Sequence, residues 1–65
     1  MDTGRKDANI QIGKRLREAR LNMNLEKSEI ADVLGVTVEH YRKLEAGVTG
    51  ISVDKVLTLY HKYGI

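Results

Sequence analysis

The apolar residues of the chain recur at helical spacing in four stretches. In the first stretch, four of them follow one another at intervals of four, three and four residues: Ile12, Leu16, Ala19 and Met23. This spacing places them on one face of an α-helix that begins near Asn9. Residues 1–8 are polar and show no such period, so we expect a flexible N-terminal arm over residues 1–8 and a helical domain over residues 9–65.

The second and third stretches are joined by a tight turn at Gly35. The second predicts a helix over residues 27–34 that Gly35 ends in the left-handed conformation. The third predicts a helix over residues 38–46, and the Thr37 hydroxyl is suited to cap its N-terminus. The inner face of the two helices is predicted to contain Ile30, Ala31, Leu34, Tyr41 and Leu44. Two short helices around a tight turn are the layout of a helix-turn-helix, whose second helix enters the major groove of DNA.

The sequence predicts a poor N-terminal cap for the second helix and a suitable one for the fourth. Glu26 stands where a capping Ser or Asp would be expected before the second helix, so we predict a poor cap there. Ser52 is a suitable cap for a fourth helix over residues 53–63. The inner face of this helix is predicted to contain Val56, Leu59, Tyr60 and Tyr63. Four helices with short connections predict a compact all-α bundle.

Length and composition narrow the function. A chain of 65 residues forms one domain with a small core, and it has no cysteine for a disulfide or a thiolate metal site. Only His40 and His61 remain as nitrogen ligands, and nothing clusters with them, so we expect no metal and no cofactor. The chain offers no nucleophile–base pair and no phosphate-binding Gly loop, which argues against an enzyme. It has neither a membrane-length apolar run nor a signal-peptide core, so we expect a cytoplasmic protein.

Charge is distributed unevenly along the chain. The net charge is +2, but residues 1–24 hold six Lys/Arg against three acidic residues, whereas residues 25–47 hold three against five. The basic surface therefore lies on the first helix, where Lys14, Arg15 and Arg17 could follow a DNA backbone or simply form a solvated face. The helix-turn-helix segment itself is slightly acidic, which is unfavourable for phosphate binding.

Four residues of the third helix fall on the side away from its apolar stripe: Val38, Glu39, Arg42 and Lys43. In the major groove, Arg42 or Lys43 could donate to guanine, Val38 could contact a thymine methyl group, and Glu39 could accept from cytosine. The same residues have an alternative explanation, because Glu39 and Lys43 also suit a surface ion pair. At the start of this helix, Thr37 can cap the backbone while the free N–H groups bind a phosphate.

Four motifs over Ile12–Ile65 resemble the Cro and lambda-repressor-like helix-turn-helix family, also called the XRE family. In chain order they are IGKRLREARL, L-x-K-S-E-I-A-x-x-L-G-V-T, Y-x-K-L-E-x-G and IS-x-x-K-V-L-x-L-Y-x-K-Y-GI. The resemblance implies a four- or five-helix bundle that binds double-stranded DNA, usually as a homodimer, and regulates transcription, with repression the expected outcome. It places the family's DNA-contacting positions at Thr37, Val38, Glu39 and Lys43.

The resemblance also implies roles outside the third helix. It places Lys27 at a phosphate-contacting position and pairs Arg20 with Glu45 in an ion pair between the first and third helices. With Lys14 and Arg15, the expected phosphate contacts are therefore Lys27, Thr37, Arg15 and Lys14.

Three departures from the family pattern qualify these expectations. Glu26 replaces the usual cap, Asn24 replaces a common glycine, and the sequence ends at Ile65, where many relatives continue into a fifth helix. We therefore expect either a missing C-terminal region or a partner protein. The acidic segment also leaves open a protein-interaction module on the same scaffold, without sequence-specific DNA binding.

Overall fold

The computed structural model describes the backbone of residues 3–65 and the side chains of residues 7–65. The described residues form helices and no strand, in agreement with the predicted all-α class. The helices are α1 (Thr3–Asn22), α2 (Lys27–Leu34), α3 (Val38–Ala46) and α4 (Val53–Tyr63). Helix α1 packs on α3, α3 packs on α2, and α2 packs on α4.

Helix α1 begins earlier than the apolar period predicts. Its first residue is Thr3, so the arm predicted over residues 1–8 is helical from that point, and residues 1 and 2 lie outside the described residues. Asp7 and Ala8 are exposed, which explains why this part of the helix carries no apolar stripe. A helix that extends beyond its partners needs no buried face, and hydrophobic periodicity cannot detect it.

The inner face of α1 differs from the predicted stripe. Leu16 is buried as predicted, but Ile12 and Met23 are exposed. Besides Leu16, the buried residues of α1 are Gly13 and Arg20, which the apolar stripe does not include. A Cβ atom at Gly13 would lie 2.3 Å from the carbonyl oxygen of Glu45, so the close approach of α1 and α3 requires glycine there.

The core forms mainly between α2 and α3. All five residues predicted for the inner face of these helices are buried: Ile30, Ala31, Leu34, Tyr41 and Leu44. From α4, Leu59 is buried and Tyr63 packs partly against the core, whereas Val56 and Tyr60 are exposed and their predicted burial is wrong. Helix α4 therefore contacts the bundle through a narrower stripe than its apolar residues suggest.

The helix starts also depart from the sequence expectation in two places. Before α2, the carboxylate of Glu29 accepts a hydrogen bond of 2.9 Å from the backbone N–H of Glu26, so a residue inside the helix does the capping. Ser52 occupies the N-cap position of α4 but makes no side-chain capping hydrogen bond within the described bundle. Thr37 caps α3 as predicted, and its Oγ1 accepts from the backbone N–H of His40 at 3.0 Å.

Candidate nucleic-acid interface

The turn between α2 and α3 fixes the direction of α3. Gly35 has a φ of +72° and ends α2 in the left-handed conformation, as predicted. Val36 then packs partly buried against the core, and Thr37 starts α3 in an extended conformation. Val36 anchors the turn to the core, while residues 37–39 are exposed. The N-terminus of α3 and its uncapped N–H groups therefore face solvent.

The outward side of α3 carries the four residues proposed to contact bases: Val38, Glu39, Arg42 and Lys43. All four are exposed, while Tyr41 and Leu44 on the opposite side are buried. Arg42 Nη1 donates to Glu39 Oε1 at 3.4 Å in an exposed i,i+3 pair. The side-chain pair that forms on this surface is therefore Glu39–Arg42 rather than the alternative pair of Glu39 with Lys43. An exposed pair of this kind contributes little stability, about 0–1 kcal/mol, and opens at little cost.

An open cavity of about 380 Å³ lies beside this surface, between α1, α2 and α3. Its lining contains Arg17 from α1, Lys27 from the start of α2 and Arg42 from α3. The carboxylate in the lining belongs to Glu45, which is bound to Arg20. Three cationic side chains thus surround a concave site whose acidic group is already paired, and such a site suits a phosphate group.

The ion pair beneath this cavity joins α1 to α3. Arg20 Nε donates to Glu45 Oε2 at 2.6 Å, and the two side chains are only 10% and 8% exposed. Arg20 Nη1 also donates to the backbone carbonyl of Leu25 at 3.1 Å, which anchors the segment that leads into α2. One guanidinium therefore sets the relative position of the three helices that line the cavity.

The electrostatics of the pair follow from its burial and hydrogen bonding. Burial raises the pKa of Glu45, but the hydrogen bond from Arg20, the nearby Tyr41 hydroxyl and the positive charges of Arg20 and Lys27 together outweigh burial, so the net pKa is lowered. The same hydrogen bond raises the pKa of Arg20. Burial raises the pKa of Tyr41, whose hydroxyl lies in the core without a hydrogen-bond partner among the described residues, so this phenol stays neutral. At neutral pH, Glu45 and Arg20 are both charged.

The basic residues of α1 do not all lie on the same side. Arg17 lines the cationic cavity, whereas Arg15 lines a separate groove of about 260 Å³ on the other flank of α1. Lys14 is exposed and lies three residues before Arg17, which places it on the same flank. Arg17 was one of the three basic residues of α1 considered for the DNA backbone, but the predicted phosphate contacts did not include it. Arg17 lies three residues before Arg20, which the resemblance pairs with Glu45 of the third helix. This spacing would have placed Arg17 on the side of α1 that faces α3.

Comparison with protein-family models gives one informative result. A model described as helix-turn-helix matches residues 16–65. The chain therefore belongs to the Cro and lambda-repressor-like helix-turn-helix family, as its motifs predicted. This is a family of DNA-binding transcription regulators and is not typically enzymatic. Comparisons with curated proteins and with solved structures gave no match. Within the described part of the chain, no helix combines the length and hydropathy that crossing a membrane requires.

Proposed function

We propose that this protein binds double-stranded DNA sequence-specifically and represses transcription in the cytoplasm, with α3 reading the major groove. The observation that carries this proposal is the position of the cationic cavity directly beside the exposed side of α3. A phosphate bound in the cavity would hold the DNA backbone while α3 lies in the groove. The cavity also provides positive charge where the acidic composition of residues 25–47 argued against phosphate binding.

The four exposed residues of α3 have different proposed roles at the bases. Lys43 and Arg42 donate to guanine O6 and N7, and Val38 contacts a thymine methyl group. Arg42 must leave Glu39 to do so, and Glu39 is then free to accept from cytosine N4. Because the Glu39–Arg42 pair is exposed and long, its loss does not oppose binding strongly.

Phosphate contacts are proposed at the ends of the helices and along α1. Lys27 reaches a phosphate from the start of α2, and the N-terminus of α3 at Thr37 binds another through its backbone N–H groups. Arg17 joins them because it lines the same cavity as Lys27. Lys14 and Arg15 are further candidates, and Arg15 is the weakest because it lies on the opposite flank of α1.

The protein is proposed to bind as a homodimer on a pseudo-palindromic site. Two recognition helices about 34 Å apart would enter successive major grooves on one side of the duplex. Neutralisation of phosphates supplies much of the affinity, so binding weakens steeply as salt rises.

Selection from a pool of randomised duplexes tests the proposal. We expect one sequence to be enriched, and Lys43→Ala to weaken binding to it by about 5- to 150-fold, the equivalent of roughly 1–3 kcal/mol for a base contact. Lys62→Ala, which removes an exposed lysine of α4, is the matched control and should leave affinity nearly unchanged. If no sequence is enriched, or if the two variants behave alike, α3 does not read DNA.

A protein-interaction module is the second candidate. The observation in its favour is the exposed Glu39 carboxylate in an acidic segment, on the surface proposed to face DNA. A basic peptide would bind there in competition with DNA. Titration with a labelled poly-lysine peptide separates the two: if the peptide binds tightly and the enriched duplex does not displace it, the protein-interaction function is favoured.

A further inference from the structure

The exposed side of α4 carries a continuous apolar stripe that nothing in the described bundle covers. Val53, Val56, Leu57 and Tyr60 are 74%, 43%, 51% and 61% exposed. Their spacing of three, one and three residues places all four on one face, beside the core-facing stripe of Leu59 and Tyr63. An amphipathic helix normally buries such a stripe, so this one is suited to a partner.

The apolar surface does not stop at α4. Val56 also lines the groove that Ile12, Ile51 and Ile65 share with Arg15 on the flank of α1. Ile12 is itself exposed, so the stripe and the groove form one apolar surface across two helices. Single exposed apolar side chains are normal on a protein surface, but here they join into one surface across two helices of a 65-residue chain.

Two polar residues at one edge of the stripe indicate the occupant. Asp54 and His61 are seven residues apart, so they lie on the same edge of α4, one near each end. The ring of His61 packs edge-on against Tyr60, with centroids 5.7 Å apart, which holds the imidazole beside the stripe. The edge therefore has an acceptor at one end and, seven residues away, a group that can donate through a ring N–H.

From this arrangement we infer that a second copy of this chain packs on α4, with the two α4 helices antiparallel about a two-fold axis near Leu57. In that orientation, Asp54 of one copy faces His61 of the other, and the contact occurs twice. A parallel two-fold pair would instead place the Asp54–His61 edges of the two copies on opposite sides of the contact, so that these polar groups could not meet. Val53 of each copy then packs against Tyr60 of the other. This contact supplies the surface for the proposed homodimer, and the residues that pair across it lie on α4, so none of them belongs to α3.

Sedimentation equilibrium without DNA tests the contact. We expect a monomer–dimer equilibrium, and we expect Leu57→Glu to raise the dimer dissociation constant at least about 100-fold, because it places two carboxylates together at the two-fold axis. Val48→Glu is the matched control, since Val48 is an exposed apolar residue, at 69% against 51% for Leu57, and lies in the loop before α4, off the stripe. Circular dichroism verifies that each variant remains helical.

Charge exchange tests the orientation of the two helices. His61→Asp should weaken the dimer by roughly 3- to 10-fold, because it places the new carboxylate against Asp54 of the other copy. Adding Asp54→Lys to His61→Asp should restore the dimer, since opposite charges again face each other across an antiparallel contact. In a parallel dimer neither change should matter, because the two charged edges would lie on opposite sides of the contact.

The results separate this inference from the proposed function. A chain that is monomeric at every concentration, or a dimer that Leu57→Glu leaves intact, overturns the α4 contact whether or not DNA binds. A helical Leu57→Glu variant that loses the dimer but still binds a single half-site supports both. A dimer sensitive to Leu57→Glu whose wild-type chain enriches no DNA sequence supports the contact and overturns the proposed function.

Discussion

Helix α1 separates two surfaces of opposite character. On the side of α2 and α3, a cavity is lined by Arg17, Lys27 and Arg42, above a buried ion pair. On the other flank, a smaller groove of about 260 Å³ is lined mainly by apolar residues, which continue onto α4. The helices around the cavity are positioned by hydrogen bonds from Arg20 to Glu45 and to the carbonyl of Leu25. On the apolar surface, the polar groups that could orient a partner, Asp54 and His61, lie at the edge.

This difference shows how a small chain can separate two kinds of binding. Charged groups around the cavity remain hydrated in the free protein and suit a ligand that is itself an anion, such as phosphate. Apolar groups on the other flank gain only when water is removed from them, which requires a large partner with a complementary apolar surface. Breaking or altering one flank should therefore leave the other nearly unaffected, provided that the fold survives.

The largest expected effect comes from breaking the ion pair that supports the cavity. Arg20→Ala leaves the buried Glu45 carboxylate without a partner and should cost about 3–5 kcal/mol. A single core of this size rarely supplies more than about 3–5 kcal/mol, so we expect the variant to be largely unfolded. Urea titration followed by circular dichroism measures the change.

The control for this prediction is the exposed pair on α3. Arg42→Ala breaks a pair whose side chains are 61% and 69% exposed and should change stability by less than about 1 kcal/mol. Replacing both buried partners, with Arg20→Met and Glu45→Leu together, should recover much of the loss because no charge is left buried. Equal losses in Arg20→Ala and Arg42→Ala would show that the buried pair has no special importance.

The next largest effect is expected at Gly13, where α1 approaches α3 closely. Alanine normally stabilises a helix interior by about 1 kcal/mol relative to glycine. At Gly13, however, the added Cβ would meet the backbone carbonyls of Leu44 and Glu45 at 2.7 and 2.3 Å. We therefore expect Gly13→Ala to destabilise the fold by about 1–3 kcal/mol, measured by thermal unfolding. Glu18→Ala, at an exposed position of α1, is the control, and a stabilised Gly13→Ala would contradict the packing described here.

The parts of the fold that depend on local chemistry could be predicted from the sequence. The turn at Gly35 and the cap at Thr37 follow from the backbone preferences of single residues, and the structure has both where expected. The inner face of α1 could not be predicted in the same way. Two of its packing positions are a glycine and an arginine, Gly13 and Arg20, which hydrophobic periodicity does not count. Their burial depends on residues of α3 about 25 positions or more away.

The site shows the same division. The outward side of α3 was predicted from spacing alone, because one buried stripe determines which residues face solvent. The grouping of Arg17 with Lys27 and Arg42 depends on how three helices meet, and spacing within one helix does not contain that information. On α4, Val56 and Tyr60 lie on the edge of an apolar face wider than the bundle covers, and the sequence does not show how wide the contact is.

Acid should destabilise the fold by protonating Glu45, the carboxylate of the ion pair beneath the cavity. The folded-state pKa of Glu45 is lowered, so its contribution to stability is fully present above its ordinary value of 4.5 and is lost as pH falls through the lowered value. We expect the free-energy difference between the wild type and Glu45→Gln to be constant near neutral pH and to shrink below about pH 4.5. Urea titrations from pH 7 to pH 3 measure it. Glu18→Gln serves as the exposed control, and a difference that grows in acid would contradict the assignment.

The smallest expected effect compares one arginine from each flank of α1. Arg17 lines the cationic cavity and Arg15 lines the apolar groove, although they are only two residues apart. If the cavity holds a phosphate, Arg17→Ala should reduce the slope of log affinity against log salt by about 0.9, the value for one phosphate contact. Arg15→Ala should leave the slope nearly unchanged. Because both variants remove the same charge from the same helix, equal slopes would mean that α1 acts on DNA through its net charge and that the cavity is not a phosphate site.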